Sequence, residues 1–353
     1  MNSKVTIRRL HTGVPGLDAI LGGGLPELSF NLIVGPPGSG KTTLAHQIMF
    51  ALATREQPAL FFTVLGEPPL KMLRYQQQFS FFDFDKVNES IRFVNLSDDF
   101  ATGNFEQVLE RIAQEVEAYS PALVIVDSFR PVMLEAQHQS KGVLSLQLFI
   151  QQLGTQLSGW QATTFLVGEF LSKSDPHPVL TVADGLLSLD QSVYRNSMVR
   201  KMQVLKMRGQ ETLPGMHTFR ITSTGIEIFP AAVILVDAGD APVTSGVLRS
   251  NKRLTMGVPR LDEMLGGGLP SGYSLLVAGP SGSGKTILAT AFLAEGVRLG
   301  EAGVIVAFEQ TPSQSWIRTL DDMIRAGQIG LINNRSLDLS IDEIVQRLIN
   351  LIQ

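Results

Sequence analysis

Short apolar runs and longer amphipathic stretches alternate along the first 230 residues. Runs at 28–34, 59–64, 91–95, 123–127 and 164–167 predict strands, and the stretches between them predict helices near 42–53, 69–78, 105–119 and 144–157. Over 105–119, Phe105, Val108, Leu109, Ile112 and Val116 fall on one helical face. The run at 123–127 is apolar on both faces, as expected of a parallel strand covered by helices on either side. From 185 to 229 the pattern changes to strands joined by short turns, which predicts an antiparallel extension of the sheet. Strand, helix, strand in succession gives an α/β fold with a mostly parallel sheet flanked by helices.

The chain then repeats itself at an offset of 244 residues. GVPGLDAILGGGLP from Gly13 falls on GVPRLDEMLGGGLP from Gly257, and GPPGSGKTTL from Gly35 falls on GPSGSGKTIL from Gly279. A repeat this long is a duplicated domain rather than a solenoid, whose periods are about 20–50 residues. The expected division is a first domain over 1–230, a Pro-, Gly- and Ser-containing linker over 231–249, and a second domain over 250–353. In the second copy, 303–308 predicts a strand and 340–352 an amphipathic helix. The offset carries the partner of Asp127 past Gln353. The second copy is therefore expected to be shortened, lacking its Walker B half, and a partial sequence is expected rather than a natural half-domain, since half a sheet would leave an unpaired edge.

Both copies carry G-x-x-x-x-G-K-[ST], each after an apolar run and before a helical one. In the first, Gly35, Pro36, Pro37, Gly38, Ser39, Gly40, Lys41, Thr42 and Thr43 are the candidate phosphate-binding residues; in the second they are Gly279, Pro280, Ser281, Gly282, Ser283, Gly284, Lys285, Thr286 and Ile287. Small residues let consecutive backbone N–H groups curl around phosphates, and the helix that follows adds its positive end. Lys41 is expected to reach the β- and γ-phosphates of ATP, and the Thr42 and Thr286 hydroxyls to ligate Mg²⁺. Asp127 closes the 123–127 strand, where a carboxylate would hold the same Mg²⁺.

TGVPGLDAILGGGLP, the two phosphate loops, LVIVDS, and KMQVLKMRGQETLPGMHTFRITSTGIEIFP together resemble the KaiC family, within the RecA-like P-loop ATPases. The likeness covers nearly all of the first copy and all that is present of the second. It implies a RecA-like fold in two tandem copies and a hexameric ring with ATP at the subunit interfaces. In the family, the LKMRG segment projects into the neighbouring subunit's nucleotide. The resemblance thus gives Lys206 and Arg208 a role in stabilising charge on the γ-phosphate, in the manner of an arginine finger. The family also carries a Glu-Glu pair at the end of the second strand, one Glu activating the attacking water. The second copy has Glu309-Gln310 there, which makes Glu309 its expected general base. In ungapped register the first copy has Leu65-Gly66, with Glu67 two positions later than Leu65. Three readings follow for the first site. It binds ATP and hydrolyses it slowly, Glu67 serves as base after a local shift, or another acid such as Glu169 takes the role.

Composition narrows the function. Charged residues make up 18% of the chain against 44% apolar, below the roughly 25% charged usual in soluble domains, which fits surface buried between subunits. A net charge of −4 provides no global basic field for nucleic acid. There are no cysteines, which removes disulfides, thiolate metal sites and Cys nucleophiles. No apolar run is long enough to cross a membrane, and a cytoplasmic location is expected. The five histidines show no metal-ligand spacing, and His46 is expected to be a surface or packed residue. The leading expectation is a regulatory or signalling ring ATPase with protein partners. The alternatives are a DNA recombination or repair ATPase of the same superfamily, and an ATP-stabilised scaffold that does not hydrolyse.

Overall fold

A computed structural model describes residues 7–64, 69–87, 89–101, 105–128, 151–156, 159, 161–169, 182–194, 197–231, 252–308, 318–333 and 340–352. The chain forms two compact units, Met1–Ile234 and Leu235–Gln353.

Unit 1 begins with a short antiparallel pair, β1 (Arg9–Leu10) and β2 (Leu25–Pro26), bracketing the one-turn helix α1 (Leu17–Ile20). The Asp18 carboxylate accepts hydrogen bonds from the Thr12 amide and hydroxyl at 3.0 and 2.6 Å, closing this turn. The strands that follow are β3 (Phe30–Val34), β4 (Ala59–Thr63), β5 (Ile91–Asn95), β6 (Leu123–Asp127) and β7 (Thr163–Gly168). Between them lie α2 (Lys41–Leu52), α3 (Pro69–Gln76), α4 (Ser97–Ala101) and α5 (Phe105–Tyr119). Last come β8 (Gly185–Tyr194), β9 (Ser197–Met207), β10 (His217–Thr222) and β11 (Gly225–Phe229). Of the helix expected over 144–157, residues 151–156 are described and are helical.

These strands form one nine-stranded sheet in the order β11-β10-β9-β8-β3-β7-β6-β4-β5. From β8 to β5 every pairing is parallel, and from β8 to β11 every pairing is antiparallel. The fold is thus a RecA-like α/β sheet with an antiparallel extension. Successive strand residues feed opposite layers. Leu32, Phe62, Val124 and Leu166 pack with Val108, Ile112 and Val116 of α5 on one face. Ile33, Phe61, Ile125 and Phe165 pack with Leu44 and Ile48 of α2 on the other. Each such side chain, withdrawn from water, contributes about 1.5–3 kcal/mol, so both helices are clamped to the sheet. That clamp fixes α2, whose first turn carries the phosphate loop.

Unit 2 repeats the opening with β12 (Arg253–Leu254), α6 (Pro259–Met264) and β13 (Leu269–Pro270). Asp262 accepts from the Met256 amide at 2.7 Å, the counterpart of the Asp18 bond to Thr12. It continues with α7 (Lys285–Arg298), β14 (Gly303–Ala307), α8 (Arg318–Arg325), β15 (Ile329–Asn333) and α9 (Ile341–Ile352). β14 and β15 pair in parallel, as β4 and β5 do. Residues 273–280, the counterpart of β3 and the loop's start, are not in a strand. The topology of unit 1 gives the reason: β3 is separated from β4 by β7 and β6 and hydrogen-bonds only to β7 and β8. The counterparts of those strands fall past Gln353 at the repeat offset.

Candidate nucleotide-binding site

The site of unit 1 lies at the carboxyl ends of β3, β6 and β7, the edge of a parallel sheet where ligands gather. β3 ends at Val34, and the chain turns through Gly35–Gly40 into α2. Gly38 and Gly40 adopt left-handed φ angles of 74° and 99°. A Cβ on Gly40 would also come within 2.8 Å of Ile221 Cδ1, so glycine is required there twice over. Ser39 is fully buried. The loop wraps a cavity of about 330 Å³ whose lining includes Gly38, Gly40, Lys41, Thr42, Thr43, Thr63, Asp127, Ser128 and Glu169. Met72 and Ile221 supply its apolar wall.

Lys41 is nearly buried. Its ammonium donates to the Pro36 carbonyl at 2.8 Å and lies 3.7 Å from a Glu169 carboxylate oxygen. The Thr42 hydroxyl donates to Asp127 Oδ2 at 2.6 Å, joining residues 85 apart in sequence. Burial pushes the Asp127 carboxyl up to about 6; the Thr42 hydroxyl and Lys41 pull it back, and the Glu169 charge adds to the rise. Among the described residues, no group of three or more His, Asp or Glu side chains could hold a metal alone. A hydroxyl and a carboxylate side by side nevertheless suit Mg²⁺. It binds through one or two protein oxygens and completes its shell with water and phosphate. Asp127, an acid destabilised by burial, gains most from such a cation.

The loop is braced from two directions that sequence reasoning missed. Gln191 of β8 donates to the Pro37 carbonyl at 2.9 Å, and Ile221 of β10 covers Gly40. Neither residue has a recognisable local signal, because each acts across the sheet. Glu169, entertained from its place after the 164–167 strand, does line the cavity. His46 is completely buried in α2, stacked on Phe61 at 4.5 Å between ring centres, and its Nδ1 donates to the Thr42 carbonyl at 2.9 Å. Burial lowers its pKa to about 4, with the Thr42 contact opposing the shift. The aromatic run from Phe79 is partly core: Phe81 and Phe82 pack against the α2 side of the sheet, while Phe84 is exposed.

Lys206 and Arg208 lie elsewhere. The register sets Lys206 opposite Leu186 and Met207 opposite Gly185, at the amino-terminal edge of β8 and β3. Lys206 is thus level with Leu32 and Arg208 with Phe30, so along the strand the phosphate loop starts roughly 10 Å from the first and roughly 16 Å from the second, at about 3.3 Å per residue. A bulge skips Leu205, so that Val204 and Lys206, two residues apart, face opposite layers. Arg208 follows the strand, and its guanidinium bonds Asp184 Oδ1 at 3.2 Å. Asp184 Oδ2 in turn accepts from the Phe30 amide at 3.0 Å, at the start of β3. Burial, followed by the Arg208 charge, lowers the Lys206 pKa, against an opposing pull from Asp184.

In unit 2 the second loop has the same local form. Gly282 and Gly284 have φ of 79° and 92°, and Lys285 donates to the Gly279 and Pro280 carbonyls at 2.8 and 2.7 Å. Thr286, in the first turn of α7, accepts through its carbonyl the Thr290 hydroxyl. Glu67 and Glu309 both lie outside the described residues.

A family model described as "ATPase: KaiC" matches residues 10–233 and again 254–325. The chain belongs to the KaiC family. The double match follows the internal repeat, with both phosphate loops inside it. Among relatives of this KaiC-family chain are proteins named circadian clock oscillator protein KaiC. The one from Picosynechococcus is 30% identical over 92% of this chain and 64% of its own length. That of Rippkaea orientalis is 29% identical over 94% and 64%, and that of Prochlorococcus marinus 28% over 94% and 67%. The chain thus spans 64% of the length of the first two curated relatives. Among the described residues, no helix is long and apolar enough to cross a membrane.

Proposed function

We propose that unit 1 binds ATP with Mg²⁺ and hydrolyses it, as one subunit of a ring of identical chains. The observation that carries this reading is the 2.6 Å bond from the Thr42 hydroxyl to Asp127, inside a cavity closed by the glycine loop. The two groups that would share the cation are already brought together at the mouth of a helix whose amides would receive the phosphates. Lys41 would leave the Pro36 carbonyl for the β- and γ-phosphates, Thr42 and Asp127 would hold Mg²⁺, and Thr43 would line the phosphate end of the cavity. The second loop, Gly279–Ile287, would take a second nucleotide, with Thr286 on its metal and Glu309 as its base.

The position of Lys206 and Arg208 supports the ring. Arg208 stands at the far end of β3 from its own loop and Lys206 level with the strand's middle, two strands across, so a charge they stabilise on a γ-phosphate belongs to a neighbouring subunit. By family resemblance we take the ring to be a hexamer in the cytoplasm. The relatives are named for a circadian clock oscillator; for this chain the role is that of an ATP-driven regulator acting on protein partners. The acidic balance gives no support to a nucleic-acid substrate.

Phosphate release by the unaltered chain and by Lys41→Ala, measured with and without Mg²⁺, tests the reading. Release that needs both Lys41 and the metal is expected; equal release by the two proteins would contradict it. Arg208→Ala should leave nucleotide uptake near normal and cut turnover of the assembled protein by about 10³-fold or more, as loss of an arginine finger does. Mass in solution with and without Mg²⁺ and ATP establishes whether the ring is present in that assay.

A further inference from the structure

The repeat and the sheet register together identify the group that activates water in unit 1, an inference that rests on the hydrolytic reading above. In the second copy an acid, Glu309, stands two residues past Ala307, the last residue of β14. The same place in the first copy, two past Thr63 of β4, holds Leu65. Leucine neither accepts a proton nor orients water. Asp127, however, has a paired strand on each side. Thr63 of β4 pairs with Asp127 on one side, and Val167 of β7 pairs with it on the other. Two residues past Val167 is Glu169. The end of β7 therefore offers a carboxylate beside Asp127, one strand spacing of about 4.8 Å from it and two spacings, about 10 Å, from the line of β4.

β7 also lies between β6 and β3. A residue just past its end stands between Asp127 and the phosphate loop. Glu169 does so, lining the cavity at 14% side-chain exposure with one oxygen 3.7 Å from Lys41 Nζ. Asp127 is occupied by Thr42. Glu169 is thus the other carboxylate among the described lining residues.

We propose that Glu169 is the general base of the first site, a role held in the second copy's register by Glu309. In the absence of nucleotide, the Lys41 ammonium, 3.7 Å away, holds the carboxylate in place. Once a triphosphate engages Lys41, Glu169 faces the water beside the γ-phosphate. The carboxylate accepts a proton from that water as the water oxygen bonds to the γ-phosphorus. The bond from that phosphorus to the β–γ bridging oxygen breaks, and its electron pair leaves with ADP. The proton then passes from Glu169 to the product phosphate or to solvent. Removing such a base slows the chemistry without removing binding.

The test uses the full chain with Mg²⁺, a fluorescent non-hydrolysable ATP analogue for affinity, and single-turnover phosphate release for chemistry. Glu169→Gln should bind the analogue as tightly as the unaltered chain or more tightly, since Lys41 is released, and should release phosphate at least about 100-fold more slowly. Glu169→Asp, with the acid retained on a shorter stem, should fall between them. Glu67→Gln should stay within about threefold of the unaltered rate. The proposal is overturned if Glu169→Gln releases phosphate within about threefold of the unaltered rate. It is equally overturned if Glu169→Gln and Glu169→Asp both lose analogue binding, which would make the residue structural. An unaltered chain that binds the analogue but releases no phosphate would sink the base assignment and leave nucleotide binding intact. No uptake of the analogue by the unaltered chain would sink the nucleotide site itself.

Discussion

Lys41 and Lys285 stand at the same place in two nearly identical loops, and each donates to the carbonyl of its own loop's second residue, at 2.8 and 2.7 Å. The φ angles of the second and third glycines of each loop, Gly38 with Gly282 and Gly40 with Gly284, agree within 7°. Ser39 and Ser283 make the same amide bond to that carbonyl, both at 3.3 Å. The surroundings differ. In unit 1, α2 buries Leu44, Ala45, Ile48, Met49 and Phe50, and β3 is buried along its whole length. In unit 2, α7 buries Thr290 alone, and Leu276 before the loop is 89% exposed. A phosphate loop's backbone is therefore encoded locally, by its glycines and its cap. Its metal partner, its walls and its burial come from strands far away in sequence. Asp127, Glu169, Gln191 and Ile221 all belong to that distant set.

The largest effect that would sharpen this contrast concerns His46, whose counterpart is Thr290. The two side chains make the same bond, His46 to the Thr42 carbonyl at 2.9 Å and Thr290 to the Thr286 carbonyl at 2.8 Å. Only the histidine titrates. Its folded pKa of about 4 lies below the unfolded value near 6.5, so the unfolded chain binds the proton first as pH falls. The neutral ring's contribution is whole above pH 6.5 and is lost between 6.5 and 4, a change of about 3 kcal/mol. His46→Thr should keep the bond and lower stability at pH 7 by about 1–3 kcal/mol through lost packing on Phe61. It should flatten the acid limb, as read from denaturant midpoints between pH 7 and 4. An unchanged slope would place the acid sensitivity elsewhere.

Next is the metal partner. Asp127→Asn should weaken uptake of ATP with Mg²⁺ by about 10–100-fold, yet leave uptake of metal-free ATP unchanged or tighter, since a buried negative charge is removed. Titration with and without EDTA separates the two cases, and equal losses in both would contradict a metal role. The smallest effect is steric. Gly40→Ala and Gly284→Ala impose the same left-handed strain, about 1–2 kcal/mol each. Only at Gly40 does the new methyl meet a neighbour, Ile221, while Gly284 has open space. Thermal melts should show the Gly40 variant destabilised further, by about 1 kcal/mol. Equal losses would mean that Ile221 moves aside freely.

Much of this was legible in the residues themselves. The strand and helix bounds at 91–95, 105–119 and 123–127 follow from apolar period alone, and the two loops follow from glycine spacing. Parallel pairing places Asp127 beside Thr42 once the order of strands is known, and the Walker pattern anticipates that order. The orientation of Lys206 was not legible in full. A period of two puts Val204, Lys206 and Arg208 on one face, and the bulge at Leu205 moves Val204 to the other. Gln191 and Ile221 were invisible because a lone glutamine and a lone isoleucine carry no local signature. His46 gave no hint of its stacking on Phe61, a contact between a helix and a strand that only the packed sheet creates. The repeat register led away from Glu169, because in sequence the acid of the second copy follows β14, the counterpart of β4 and not of β7.

One titration goes straight to the central claim. Labelled ATP with Mg²⁺ is added to the unaltered chain, to Lys41→Ala and to Lys285→Ala, and the bound nucleotide per chain is counted. The first loop, buried and furnished with Asp127, should account for the tight site. Lys41→Ala then abolishes tight uptake, and Lys285→Ala retains one tightly bound nucleotide per chain. Tight uptake that survives Lys41→Ala and disappears with Lys285→Ala would contradict the account.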